Sequence, residues 1–334
     1  MSDTQTSTVT VSLSRTRRRA LSLSLLGGQS SALLHDLPAE ITIHILEFAL
    51  LYGRPRDLAL ISQIIRQLVN IIIYRTVILD NAHTIALFHR TASSRHSSHL
   101  LTHVRRLAVT WEPEYFMPNT DQQLRHIVAH CPSLRKVALP SSCQIDISPF
   151  DFLSLNDGPS DLTIQSFDDL SGFDPLSSDN TPVLLPAYFS TSLTHLRICE
   201  PGNTWQSPST IIASLHDAPN LTHLQLARRT DSNEDNDVVF ADDIAHLLAT
   251  RKHLKMVVIS IFGGLMRTSS EAIQESNIWM LALKLQELDP RVVVIEGELG
   301  TWREEWKDVK GIRCGGSPMN FWRMVELDLE SDGA

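Results

Sequence analysis

The sequence predicts an α/β chain, a short helical unit near the N-terminus followed by an irregular solenoid of alternating strands and helices. Three observations carry this. Short runs rich in branched aliphatics recur about every thirty residues between Val77 and Val294, a period that marks stacked repeats. Segments with apolar residues at helical spacing lie between those runs. Upstream, three short helical patterns between Leu37 and Tyr74 hold too little apolar surface to stand alone and call for a packing partner.

Length and composition bound the possibilities. At 334 residues there is room for one large or two medium domains. Hydrophobic residues make up 43% and charged residues 20%, the balance of an ordinary globular protein. The net charge of −9 argues against general nucleic-acid binding, which needs a basic excess. No apolar run reaches the ~18 residues of a membrane-spanning helix, so no membrane association is expected. Cys131, Cys143, Cys199 and Cys314 lie far apart and form no CxxC pair, which disfavours a disulfide framework or a zinc site and fits a reducing intracellular compartment.

Residues 1–30 are rich in Ser, Thr and Arg without periodic apolar positions, and read as a disordered tail. Arg15 and Arg17-Arg18-Arg19 within it are a candidate nuclear-import cluster. Residues 31–75 form the helical unit. Pro38 stands where a helix can begin at little cost, because the first helical amides lack internal partners. Ile41, Ile45, Leu46 and Ala49 then mark one apolar face, Gly53 and Pro55 break the helix, and Arg56-Asp57 opens a second. A third apolar run spans Ile64 to Ile73.

Residues 76–300 carry the repeat. The strand candidates are 77–79, 107–109, 137–139 and 162–164, then 196–198, 224–226, 257–259 and 292–294. Cys131-Pro132-Ser133-Leu134, Thr191-Ser192-Leu193 and Pro219-Asn220-Leu221 precede three of them with one pattern: a leucine, two variable residues, then alternation. Helical faces fall between strands at Leu124, Ile127 and Val128, at Ile211, Ile212 and Leu215, at Ile244, Leu247 and Leu248, and at Leu281, Leu285 and Leu288. Residues 140–190 are the least regular part. In residues 301–330, Trp302 and Trp306 share a helix face and Phe321-Trp322 follows; these aromatics read as a cap over the open apolar edge of the last repeat.

Sites of chemistry are sparse. His126 and His130 are at chelating spacing but lack a third ligand, and their face is where polar residues belong. Asp231, Asn233, Asp235 and Asp237 alternate like the start of a calcium loop, yet Asn236 and Asp242 stand where that loop needs Gly and Glu, so an exposed acidic loop is expected. Gly263-Gly264 lacks the spacing and lysine of a phosphate loop, and no GxSxG elbow is present. Neither a metal nor a cofactor is expected, and no catalytic residue is assigned.

Two resemblances add to this reading. Leu37-Pro38-x-Glu40-Ile41, Ile45-Leu46 and Asp57-Leu58-x-Leu60 with Ser62 and Arg66 resemble the F-box, and Tyr74-Arg75-Thr76-Val77 is similar to its fungal form. Leu68 departs from the Trp found at that place in many members, and the Gly53–Arg56 link is of variable type. The βα period resembles an irregular leucine-rich repeat, without the Asn or Cys expected after each strand, where Glu112, Ser142, Pro201, Arg229 and Phe262 stand instead. The F-box resemblance implies docking onto a Skp-family adaptor of a cullin complex through Leu37, Pro38, Ile41, Ile45 and Leu46. The repeat resemblance implies a concave sheet lined by outward-facing strand residues, with Arg106, Lys136, His195, Arg197 and His223 as candidate contacts to a client. A basic row in an acidic chain suits an acidic or phosphorylated client protein. Together these imply a non-enzymatic substrate-recognition subunit of a ubiquitin ligase, with a non-degradative interaction scaffold as the alternative and an enzyme as the remote third reading.

Overall fold

The computed structural model describes residues 37–95, 97–111, 118–141, 158–167, 191–215, 218–264, 273–306 and 320–332. The tail over residues 1–30 lies outside them, as do Cys143, Cys314 and most of the irregular stretch 140–190. By contacts the chain divides into Met1–His44 and Ile45–Ala334, a boundary inside the first described helix and not at the Arg75-Thr76 junction.

That helix, α1, runs Ala39–Tyr52. Its first bond goes from Thr42 N–H to the Pro38 carbonyl, so Pro38 sits at the entry, where its missing donor costs nothing. Gly53 ends it: a Cβ there would lie 2.8 Å from the Ala49 oxygen that accepts the last bond. Helix α2, Pro55–Ala59, starts on a proline. In α3, Gln63–Arg75, the Ser62 hydroxyl caps the Ile65 amide, and Ile65, Val69 and Ile72 form the buried stripe. α3 passes directly into the first strand without a linking residue, and Arg75 reaches back to Glu47 at 2.8 Å.

Among the described residues, eight parallel strands follow in strict sequence order: β1 Thr76–Leu79, β2 Arg106–Val109, β3 Lys136–Leu139, β4 Asp161–Ile164, β5 His195–Ile198, β6 His223–Arg229, β7 Met256–Phe262 and β8 Val292–Gly297. Each expected strand triplet lies inside one of them. Parallel neighbours need crossovers, and the described crossover helices are α4 Ala82–Ala92, α5 Ser98–Leu101, α6 Pro118–Ala129, α7 Pro208–Ser214, α8 Glu234–Thr250 and α9 Asn277–Leu288. This is the α/β alternation a βα solenoid requires.

The recurring leucine has a clear job. The amides of Leu134, Leu221 and Leu254 each donate to the carbonyl three residues back, on Cys131, Ala218 and Arg251, closing a turn just before the next strand. Pro132 and Pro219 occupy the second turn position, which favours their fixed φ. The leucine closing each turn is buried and keys the turn into the core.

Strand residues alternate between two faces. Leu107, Val137, Leu162, Leu196, Leu224 and Val257 face the crossover helices and join Ile85, Leu124, Ile127, Ile244 and Leu247 in the main core. β6 and β7 are longer than the rest, so Arg229 and Phe262, expected in turns, are still paired in the sheet.

Candidate interaction surfaces

The opposite sheet face carries the row expected to meet a client. The register aligns Arg106 with Lys136, Lys136 with Asp161, Asp161 with His195, and His195 with His223. Arg197 lies beside Thr163 and Gln225 in the next row. All five candidate residues therefore sit on one face, in neighbouring strands. Asp161 and Thr163, which the row had omitted, complete it.

This face is covered by the chain's own C-terminal part. Helix α10, Thr301–Glu304, and the turn after it bury Trp302 and Trp306 against Ile78, Ala108, Ala138 and Cys199. Helix α11, Phe321–Asp332, buries Trp322 and Val325 against Met256, Val258 and Val293. The expectation of a cap over the last repeat's edge is thus corrected. Trp302 and Trp306 lie over β1 to β3, because the short Ala108 and Ala138 leave room there for indole rings.

The covering segments hold the candidate residues closely. Arg197, 3% exposed, donates Nη1 to Glu305 Oε2 at 2.8 Å, Nη2 to Oε1 at 2.7 Å and Nε to Gln225 at 2.9 Å. The Phe321 ring centre lies 3.8 Å from its guanidinium carbon. Such a bidentate pair in a dry site is strong and directional. Lys136 pairs with Asp161 at 3.1 Å and lies 6.0 Å from the Trp306 ring centre. Arg106 is half-buried, and burial, reinforced by Arg75, lowers its pKa.

His195 and His223 stack 4.3 Å apart with their planes nearly parallel, and the Trp322 ring lies 5.7 and 5.2 Å from them. The Thr194 and Thr222 hydroxyls donate to the Ser160 and Thr194 carbonyls, so each is left to accept from the imidazole Nδ1 2.8 Å away. That arrangement places a proton on Nδ1 of both rings. Burial, reinforced by His195, depresses the His223 pKa to about 4. His195 is lowered too, chiefly by burial, against the raising influence of Asp161.

The helical segment presents a different surface. Leu37 and Ile41 are exposed, as is Pro38. Beyond the contact boundary, Ile45, Phe48 and Tyr52 project from α1 at 45, 64 and 78% exposure, with the Phe48 and Tyr52 rings 5.2 Å apart. Leu60, Ile61 and Ile64 are also exposed. Leu46 is not part of this surface. It is 5% exposed and, with Leu50, faces inward on α1, which takes it out of the five residues expected to meet an adaptor.

Other sequence features resolve plainly. Asp231 to Asp237 is an exposed loop only at its start: Asp231 and Asn233 lie in an exposed turn, Asn233 caps α8, its first turn holds Glu234, Asp235 and Asp237, and Asp237 is buried against Arg228. Arg228 also lies 4.2 Å from the Trp205 ring, in a cleft of about 310 Å³ at the ends of β5 and β6. His126 and His130 stack 4.0 Å apart, and among the described residues no group of three His, Cys, Asp or Glu could hold a metal. No described helix is long and apolar enough to cross a membrane.

Neither a protein-family model nor a curated protein matches this chain.

Proposed function

We propose that this chain is a protein-docking subunit of a Skp–cullin–F-box type ubiquitin ligase, working in the cytoplasm or nucleus, with its leucine-rich-repeat-like part holding a client protein. It brings the client's lysines near a cullin-bound conjugating enzyme and catalyses nothing itself. The observation that carries this reading is the run of large apolar side chains left bare on α1 and after α2: Ile45, Phe48, Tyr52, Leu60, Ile61 and Ile64. Large apolar side chains left exposed in such number mark a protein interface where they cluster, as the Phe48 and Tyr52 rings do 5.2 Å apart on α1. Its place in the chain coincides with the F-box-like motif, and Leu37, Pro38 and Ile41 of that motif are exposed as docking residues must be.

A second reading rests on the covered sheet face. A non-degradative scaffold uses the same adaptor contact without presenting a client, and a client face already occupied favours it. Co-purification with a Skp-family adaptor tests the shared step, and the presence of cullin in the captured complex separates the two. Undiminished adaptor capture by a Leu37→Ala, Pro38→Ala double variant removes the F-box reading.

A further inference from the structure

We infer that the groove between α3 and α5 docks an acidic, extended segment of a partner protein. The inference goes beyond the ligase reading and does not depend on it.

The groove encloses about 410 Å³, within the range of binding clefts. Gln63, Arg66, Gln67 and Asn70 line it from α3, at the i, i+3, i+4 and i+7 spacing of one helix face. Ser97 and His99 line it from the start of α5. Gln63, Arg66, Gln67 and His99 are exposed. None of these six side chains makes a hydrogen bond or an ion pair among the described residues. One whole face of α3 thus keeps its polar groups out of the fold's own bonding, and their donors and acceptors stay available to a ligand.

The surroundings are cationic in a chain of net charge −9. Between Asp57 and Glu112 the sequence holds six arginines and five histidines against one carboxylate, Asp80. Asp80 lies past the C-terminal end of β1, held by Asn81 and Thr84, whereas α3 and α5 lead into the N-terminal ends of β1 and β2. Arg75, which closes α3, is met by Glu47. Arg66 and Arg105 have no anionic partner among the described residues. The crowding of cations is felt nearby. Burial, then His99 and Arg105, lower the His103 pKa; burial and Arg75 lower that of Arg106, with Asp161 opposing.

These features select the ligand. Arg66 presents a fork that fits a carboxylate, and each carboxamide both donates and accepts, as a peptide backbone requires. No Phe, Tyr or Trp lines the groove, so a nucleotide base finds no stacking platform there. The overall charge of −9 also repels a long polyanion, while a short acidic segment feels mainly the local cations.

The test adds a labelled peptide of alternating Glu and Gly to the full chain and follows fluorescence anisotropy, with a Gln-and-Gly peptide as control. The Glu peptide binds, and the Gln peptide binds about tenfold or more weakly. Arg66→Gln weakens the Glu peptide by about tenfold or more. Arg90→Gln, at an exposed arginine of α4 outside the groove, leaves it unchanged. Asn70→Asp sets a like charge in the groove and weakens binding too, so it carries the comparison if Arg66→Gln does not fold. No binding, equal binding of the two peptides, or equal losses in the groove variant and Arg90→Gln overturn the inference. A labelled oligouridylate that binds more tightly than the Glu peptide overturns it in favour of nucleic acid. No adaptor enters the experiment, so its failure leaves the ligase reading to its own test, and failed adaptor capture leaves the groove untouched.

Discussion

Arg197 and Glu305, 108 positions apart, form a two-pronged ion pair with side-chain exposures of 3 and 11%. The arginine comes from the centre of the sheet and the glutamate from just past α10, so this pair ties the C-terminal part to the face it covers. Gln225 takes the Arg197 Nε–H and in turn donates to Ser260 at 2.8 Å, so all three guanidinium nitrogens are engaged.

Glu305→Gln strands a buried cation, and a pair broken on one side costs about 3–5 kcal/mol. The Arg197→Met, Glu305→Gln double variant recovers part of that loss, because the uncompensated charge is gone. Urea unfolding of the two single variants and the double gives the cycle. Additive losses would show that the two residues act independently.

Leu46 and Ile45 are adjacent on α1 and do opposite work. Leu46→Ala removes a buried side chain and costs about 2–5 kcal/mol of stability. Ile45, 45% exposed, is nearly free to change: Ile45→Ala shifts stability by no more than about 0.5 kcal/mol. If the exposed face docks an adaptor, Ile45→Ala weakens capture while Leu46→Ala acts only through unfolding. Thermal melts beside co-purification separate the two effects, and equal melting losses would show that Ile45 is buried in solution.

Much of the fold was legible because it is local. Strand triplets such as Leu107-Ala108-Val109 alternate within a few residues, and the Cys131-Pro132-Ser133-Leu134 turn carries its own chemistry. The row from Arg106 to His223 followed from period-two alternation and one shared register. The C-terminal cover was not legible, since nothing near Glu305 points to Arg197; only the packed sheet brings them together. Leu46 was misplaced for a related reason: Ile41, Ile45 and Leu46 share a helical repeat, but which edge of an apolar stripe faces inward depends on its neighbours. The start of α8 was legible and misread. Asn233 followed by Glu234, Asp235 and Asp237 is a helix N-cap with an acidic first turn, which favours the helix dipole.

Cys131 and Cys199 are both fully buried thiols, and burial raises each pKa to about 12. At pH 8 neither forms appreciable thiolate, the species that alkylating reagents attack. In the folded chain both resist iodoacetamide, and both become reactive in urea at the unfolding midpoint. Mass spectrometry of tryptic peptides reads each site separately. Labelling of Cys199 in the folded chain at the rate of a free thiol would mean that the face under Trp302 and Trp306 opens readily.

The histidine pair sets a pH response whose sign is fixed by its geometry. Two neutral rings stack 4.3 Å apart, and a proton on either meets a buried site and a second proton beside it. Asp161 opposes this from β4 and Glu326 from α11, while Lys136 and Lys255 reinforce it. The folded His223 titrates near 4 and the free side chain near 6.5. Between those values the unfolded chain holds a proton that the folded chain refuses, so stability rises with pH across the window. The contribution is complete above about 6.5, falls away as the pH drops, and levels off below about 4. One such group gives a slope of at most about 1.4 kcal/mol per pH unit, and solvent at the half-exposed rings keeps it below that ceiling. His223→Gln keeps a polar side chain at the Thr222 hydroxyl and removes the titration. Carboxylates elsewhere act on both chains alike, so the difference between their stabilities isolates the pair. Urea midpoints from pH 7.5 to 4.5 fall more steeply for the wild type than for His223→Gln, and parallel curves would show that the stack does not resist protonation.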